Sequence, residues 1–156
     1  GNYRVDSVCM MDRFIRQAES TFATWGHTYD LGTDKGDDAV AICLAARELA
    51  HDRDVEAIGV FTRTGRTAFL MAKTRPGVPI FAFTPVDETY RRLSLGWGII
   101  PHHVPFVDSV EDMISQVEKA LKEKETVKPG QQVVLVSGFP ISAFSLSNMA
   151  LLHTVS

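Results

Sequence analysis

Cysteine is nearly absent: two in 156 residues, Cys9 and Cys43, without CxxC spacing. That excludes a disulfide scaffold and a ribbon-type metal site, and both thiols are expected to be buried and reduced. No stretch approaches the roughly 18 consecutive apolar residues that a membrane span requires. No charged leader precedes an apolar stretch near the N-terminus, so no signal peptide is expected and the cytoplasm is the expected compartment. Excess charge is also lacking. A net charge of −3 and a pI near 5.9 argue against broad binding to nucleic acid or to acidic membranes. Walker A, zincin, EF-hand and GxSxG patterns do not occur, and no nucleophile stands beside an obvious base.

What remains is an ordinary globular balance, 45% hydrophobic and 22% charged, in a length that suits one domain. The charge is unevenly spread. Residues 1–61 hold 6 Lys/Arg against 11 Asp/Glu, whereas residues 62–92 hold 6 against 2. A basic third in an acidic chain is the place to look for an anionic ligand.

Val5, Val8, Met11, Ile15, Ala18 and Phe22 recur at helical spacing and predict a first helix ending at Trp25-Gly26. A polar stretch from His27 to Gly36 reads as a linker. A second helix, capped by Asp37 or Asp38, runs to about Asp52; positions 39 to 46 are all apolar, so burial on most sides is expected. From Val55 the pattern changes to short apolar runs, Ala57–Phe61, Pro79–Phe83 and Ile99–Val104, each followed by a turn and a helical pattern. Thr84-Pro85-Val86-Asp87 suggests a capping box with proline at the first helical position. Ser109 and Asp112 open another helix, with Val110, Met113, Ile114, Val117 and Leu121 as its apolar stripe. Gln132–Ser137 is a fourth strand, and Leu151–Val155 a fifth after the loop Gly138–Asn148.

Alternating strands and helices specify an α/β fold with right-handed crossovers: a three-layer sandwich around a five-stranded, mostly parallel sheet with helices on both faces. The expected order is 3-2-1-4-5 with the last strand antiparallel. The sheet then reverses between strands 1 and 4, and ligands in such sheets bind outside the carboxyl ends at that crevice. The loops Thr62–Thr67 and Gly138–Asn148 should meet there. In the first, Gly65 allows close backbone approach, the following helix start offers N–H groups and a favourable dipole, and Thr62, Thr64, Thr67 and Arg66 add donors for an oxyanion. A plain capped turn is the alternative. His102-His103, adjacent on a strand, face opposite ways and suit no shared metal. Tyr90 and Trp97 are expected on one helix, in the core.

These residues resemble the C-terminal domain of pyruvate kinase together with the last helix of its catalytic barrel. Phe61-Thr62-Arg63-Thr64-Gly65-Arg66-Thr67-Ala68 resembles the family's phosphate-binding turn; Gly1-x-Tyr3, Arg75-Pro76, Trp97-Gly98, Gly138-x-Pro140 and His153-x-Val155 resemble other segments in the same order. The resemblance implies three parts: 1–26 a barrel helix, 27–36 a linker, and 37–156 the C-terminal domain. It implies an effector phosphate site at Thr62, Arg63, Thr64, Gly65, Arg66, Thr67, Ser145, Ser147 and Asn148. It further implies homo-oligomerisation through the C-terminal strand and contact with a parent barrel. The parent reaction converts phosphoenolpyruvate and ADP to pyruvate and ATP, with Mg2+ and K+ as its cofactors. Its catalytic groups lie in the barrel, so this chain alone should be inactive and hold no cofactor.

Two departures stand out. Ser142 and Ser145-Leu146-Ser147 replace residues that in the family include glycines. The Val104–Ser109 connection is short and lacks Lys and Arg, leaving little to hold a second phosphate. A sugar monophosphate, a nucleotide, inorganic phosphate or no effector therefore fits better than a bisphosphate. A stand-alone domain for a phosphorylated metabolite and a purely structural interface module are the competing readings.

Overall fold

A computed structural model describes residues 3–20, 36–123, 127–141 and 146–156. Its sheet contains β1 (Ala57–Phe61), β2 (Ile80–Thr84), β3 (Ile99–His103), β4 (Gln132–Ser137) and β5 (Met149–Thr154), in the order β3-β2-β1-β4-β5. The first four are parallel, and β5 runs antiparallel to β4. The expected order and directions are therefore found. The fifth strand starts at Met149, two residues before the expected Leu151.

The strands alternate because both faces are covered. Ile58, Val60, Ile80, Ala82, Val134 and Val136 point into one core. Ala57, Phe81, Phe83, Val133 and Leu135 point into the other. On the first face lie α2 (Asp38–Asp52), α3 (Arg66–Lys73) and α4 (Asp87–Leu93), contributing Cys43, Ala46, Met71 and Leu93. On the second lies α5 (Val110–Glu123), whose Met113, Val117, Ala120 and Leu121 are buried. Gly59 marks the closest approach in the middle of the sheet, since a Cβ there would stand 2.9 Å from Leu135 Cδ2.

Caps follow the sequence in two cases. The Asp37 side chain accepts the Ala39 N–H at the start of α2, and Ser109 Oγ accepts the Asp112 N–H at the start of α5. The third differs. Helix α4 begins at Asp87 behind Val86, so Pro85 lies outside it, and Thr84 Oγ1 instead accepts the Val86 N–H at the end of β2.

Three burial expectations are corrected. Helix α2 is buried along one face only, while Ala41, Leu44 and Ala45 are exposed: a helix flanking a sheet can press only one side against it. Cys43 is buried but Cys9 is exposed. Tyr90 and Trp97 are exposed and not on one helix, because α4 ends at Leu93 and Trp97 stands in the turn before β3.

Helix α1 (Arg4–Glu19) carries no buried residue; Val5, Val8, Met11, Phe14 and Ile15 all face outward. Its end is tied down by chemistry rather than by its stripe. Glu19 pairs with Arg75 at 3.6 Å and accepts the Trp97 indole N–H, while the Arg75 guanidinium stacks 3.7 Å from the centre of the Trp97 ring. Phe22, Trp25, Gly26 and residues 27–35 of the expected linker lie outside the described residues.

Candidate functional site

Beyond the carboxyl end of β1 the chain turns sharply through Thr62–Gly65 into α3. Thr62 Oγ1 accepts the Gly65 N–H at 3.0 Å and Thr64 Oγ1 accepts the Arg66 N–H at 3.4 Å, so two of the expected anion donors also shape the turn. Gly65 takes φ +82°, the left-handed region that glycine occupies without strain. The back of the turn is gripped by α4. Thr89 Oγ1 donates to the Arg63 carbonyl at 2.7 Å, and the Arg92 guanidinium donates to the Thr64 carbonyl. Beyond the Arg66 N–H, which Thr64 already takes, the first turn of α3 presents N–H groups that lack intrahelical acceptors.

The second loop reaches the same place. Thr67 Oγ1 and Ser147 Oγ lie 2.6 Å apart, both buried, and Cys43 Sγ lies 3.8 Å from the Thr67 carbonyl beneath them. Burial pushes the Cys43 thiol up to about 12, so it packs as an apolar group. Asn148 has another task. Its carboxamide accepts the Phe139 N–H at 2.6 Å and donates to the Phe139 carbonyl at 2.9 Å, closing the loop on itself. Ser145 lies outside the described residues, as does Ser142.

Between the loops opens a cavity of about 470 Å³, within the range of small-molecule sites. Thr62, Arg63, Thr64, Arg66, Thr67 and Ser147 line it; Gly65 and Asn148 do not. It also extends sideways past the ends of β2 and β3, where Phe83, Pro85, Val104 and Phe106 form its wall. The sequence pattern places the crevice between β1 and β4 alone.

Asp37 is the residue that sequence reasoning saw only as a cap. Its carboxylate also binds the Arg66 guanidinium, joining the start of α2 to the turn. That guanidinium holds the Asp37 carboxyl below the ordinary range, although desolvation opposes it. Twenty-nine residues separate the two, and no local pattern in the sequence could have paired them.

The histidine pair behaves as strand alternation requires. His102 stacks between Phe81 and Phe83, with ring centres 5.6 and 5.3 Å away, while His103 Nε2 lies 3.3 Å from Asp87. Among the described residues no group of three or more His, Cys, Asp or Glu side chains converges in a way that could hold a metal ion.

Most of this α/β architecture is also matched by known proteins. Residues 40–153 match the family described as pyruvate kinase, alpha/beta domain. The chain belongs to that family. Chloroplastic pyruvate kinase isozyme A of Ricinus communis is 38% identical over 96 residues, which is 62% of this chain and 16% of that protein. The pyruvate kinase of Clostridium perfringens is 30% identical over 155 residues, 96% of this chain and 32% of its own length. A crystal structure of a pyruvate kinase from Cryptosporidium parvum superposes with a TM-score of 0.72 at 27% identity, covering 80% of this chain and 24% of that one. The chain thus spans about a third or less of the pyruvate kinases it matches. Among the described residues no helix is long and apolar enough to cross a membrane.

Proposed function

We propose that this chain is the regulatory and assembly portion of a pyruvate kinase and that its crevice binds the phosphoryl group of a phosphate or sugar-phosphate effector. The observation that carries the reading is the Thr62–Thr67 turn: it opens α3 at the sheet's reversal, is held from behind by Thr89 and Arg92, and is bonded through Thr67 to the opposite loop. Among the described residues the cations that line the cavity are Arg63 and Arg66, and both stand on that turn, which suits a single phosphoryl group.

In this reading phosphoryl transfer from phosphoenolpyruvate to ADP, with Mg2+ and K+, is performed by a catalytic barrel that α1 joins through its exposed apolar stripe. Subunits associate through β5, an edge strand whose partner on one side is β4. The chain by itself turns over no phosphoenolpyruvate. The proposed location is the cytoplasm.

Thermal unfolding in inorganic phosphate and in sugar monophosphates tests the site. A ligand at a hundredfold excess over its Kd stabilises by about 2.7 kcal/mol, an easily measured rise in Tm. Arg66→Ala should abolish that rise. No rise with any phosphate compound would leave a structural interface module as the better reading.

A further inference from the structure

The cavity is strongly divided. At one end are the turn and its two arginines, Arg66 paired with Asp37; among the described residues no acidic side chain lines the cavity. The rest of the wall is apolar: Phe61 and Phe83, stacked at 4.8 Å between ring centres, then Val104, Phe106, Ile141 and Leu146. Phe106 is 53% exposed and Leu146 64%, so apolar surface stands open to solvent beside a cationic end.

Among the described residues, polar groups that could serve the body of a ligand are few. The hydroxyls of Thr62 and Thr64 already cap the turn, and those of Thr67 and Ser147 engage each other. One stands apart. Ser137, at the end of β4, is 2% exposed, and its hydroxyl has no hydrogen-bond partner among the described residues. It sits in the cavity lining next to Gly138. A buried hydroxyl in that position is a place for one polar atom of an incoming molecule.

A sugar body, with hydroxyls all round, would lose water at this wall and regain few hydrogen bonds. A flat apolar body would lose little and cover Phe106 and Leu146. We infer that the crevice takes a phosphomonoester with an apolar, aromatic-type body, its phosphate on the Thr62–Thr67 turn and its body along the Phe83–Phe106–Leu146 wall. The inference rests on the proposed phosphate site and puts an aryl body in place of the sugar considered there.

Calorimetric titration of the full chain with inorganic phosphate, glucose 6-phosphate and phenyl phosphate tests it. Phenyl phosphate should bind about tenfold or more tighter than either of the others, from the apolar area it covers. Phe106→Ala and Leu146→Ala, both at exposed positions, should remove that advantage and leave inorganic phosphate binding unchanged. Glucose 6-phosphate binding as tightly as phenyl phosphate overturns the inference while the phosphate site stands. An aryl advantage that survives both substitutions overturns it too, since the body would then lie elsewhere. If no phosphate compound binds at all, the phosphate site itself fails and this inference with it.

Discussion

Thr67 Oγ1 and Ser147 Oγ meet at 2.6 Å across 80 residues of sequence, and both are buried. This contact ties the first turn of α3 to the approach of β5 at the sheet's reversal. Ser147→Ala would strand the Thr67 hydroxyl in a buried setting, at a cost of about 1–3 kcal/mol. Thr67→Val should cost a similar amount, and the double variant clearly less than the sum, because the second change removes the stranded group. Urea denaturation of the four proteins measures this directly. Strict additivity would mean that the two hydroxyls do not interact.

Gly65 carries the second prediction. Its φ of +82° disfavours any residue with a Cβ, and a Cβ there would also stand 3.4 Å from Thr89 Cγ2 and 3.5 Å from Leu93 Cδ2. Gly65→Ala should destabilise the chain by about 1–2 kcal/mol, chiefly from the backbone. Because the turn must shift to relieve that strain, phosphate affinity should fall as well. An alanine variant with unchanged unfolding and unchanged binding would show that the turn is looser than its contacts imply.

Much of this was legible in the amino-acid order. Short, continuous apolar runs bounded by turn residues mark the strands, and the need to cover both faces points to the order in which they pair. Ser109 and Asp37 announced their helices because capping is a local interaction. What could not be read was long-range or a matter of degree. Asp37 meets Arg66 only because α2 and α3 pack side by side, and Thr89 and Arg92 reach the turn only because α4 lies behind it. An apolar octet in α2 predicts burial on most sides, yet one side of a surface helix faces outward whatever its composition. Asn148 was grouped with the anion donors by resemblance; its side chain is committed to Phe139 by a geometry that no spacing rule contains.

Asp37 occupies the guanidinium that the proposed phosphate would use, so the two anions should compete. Asp37→Asn keeps a side-chain oxygen for the Ala39 N–H while removing the charge beside Arg66. Phosphate should bind the asparagine variant several-fold tighter in calorimetric titration. The sign with pH follows from the lowered carboxyl value. The ion pair is intact above the ordinary 3.8 and is lost as pH falls through the lower folded value, so the wild-type competition persists throughout the neutral range. Equal phosphate affinity in both proteins would place Arg66 outside the anion site.

Glu118 on α5 gives the chain its clearest acid sensitivity. Its carboxylate accepts the Ser156 N–H at 3.0 Å, His153 Nε2 stands 3.0 Å away, Ser156 Oγ donates at 2.9 Å and Lys122 at 3.2 Å. Led by the Ser156 N–H and opposed by desolvation, these contacts push the carboxyl from its ordinary 4.5 down to about 2. A depressed carboxyl stabilises the folded chain fully above pH 4.5, and that contribution drains away as pH falls from 4.5 towards 2. Wild-type denaturation midpoints should therefore drop across that window. Glu118→Gln should start lower at neutral pH and show a shallower decline, because it retains part of the hydrogen bonding and has no charge to lose. Identical slopes for the two proteins would mean that the carboxylate is not held by β5 and the residues that follow it.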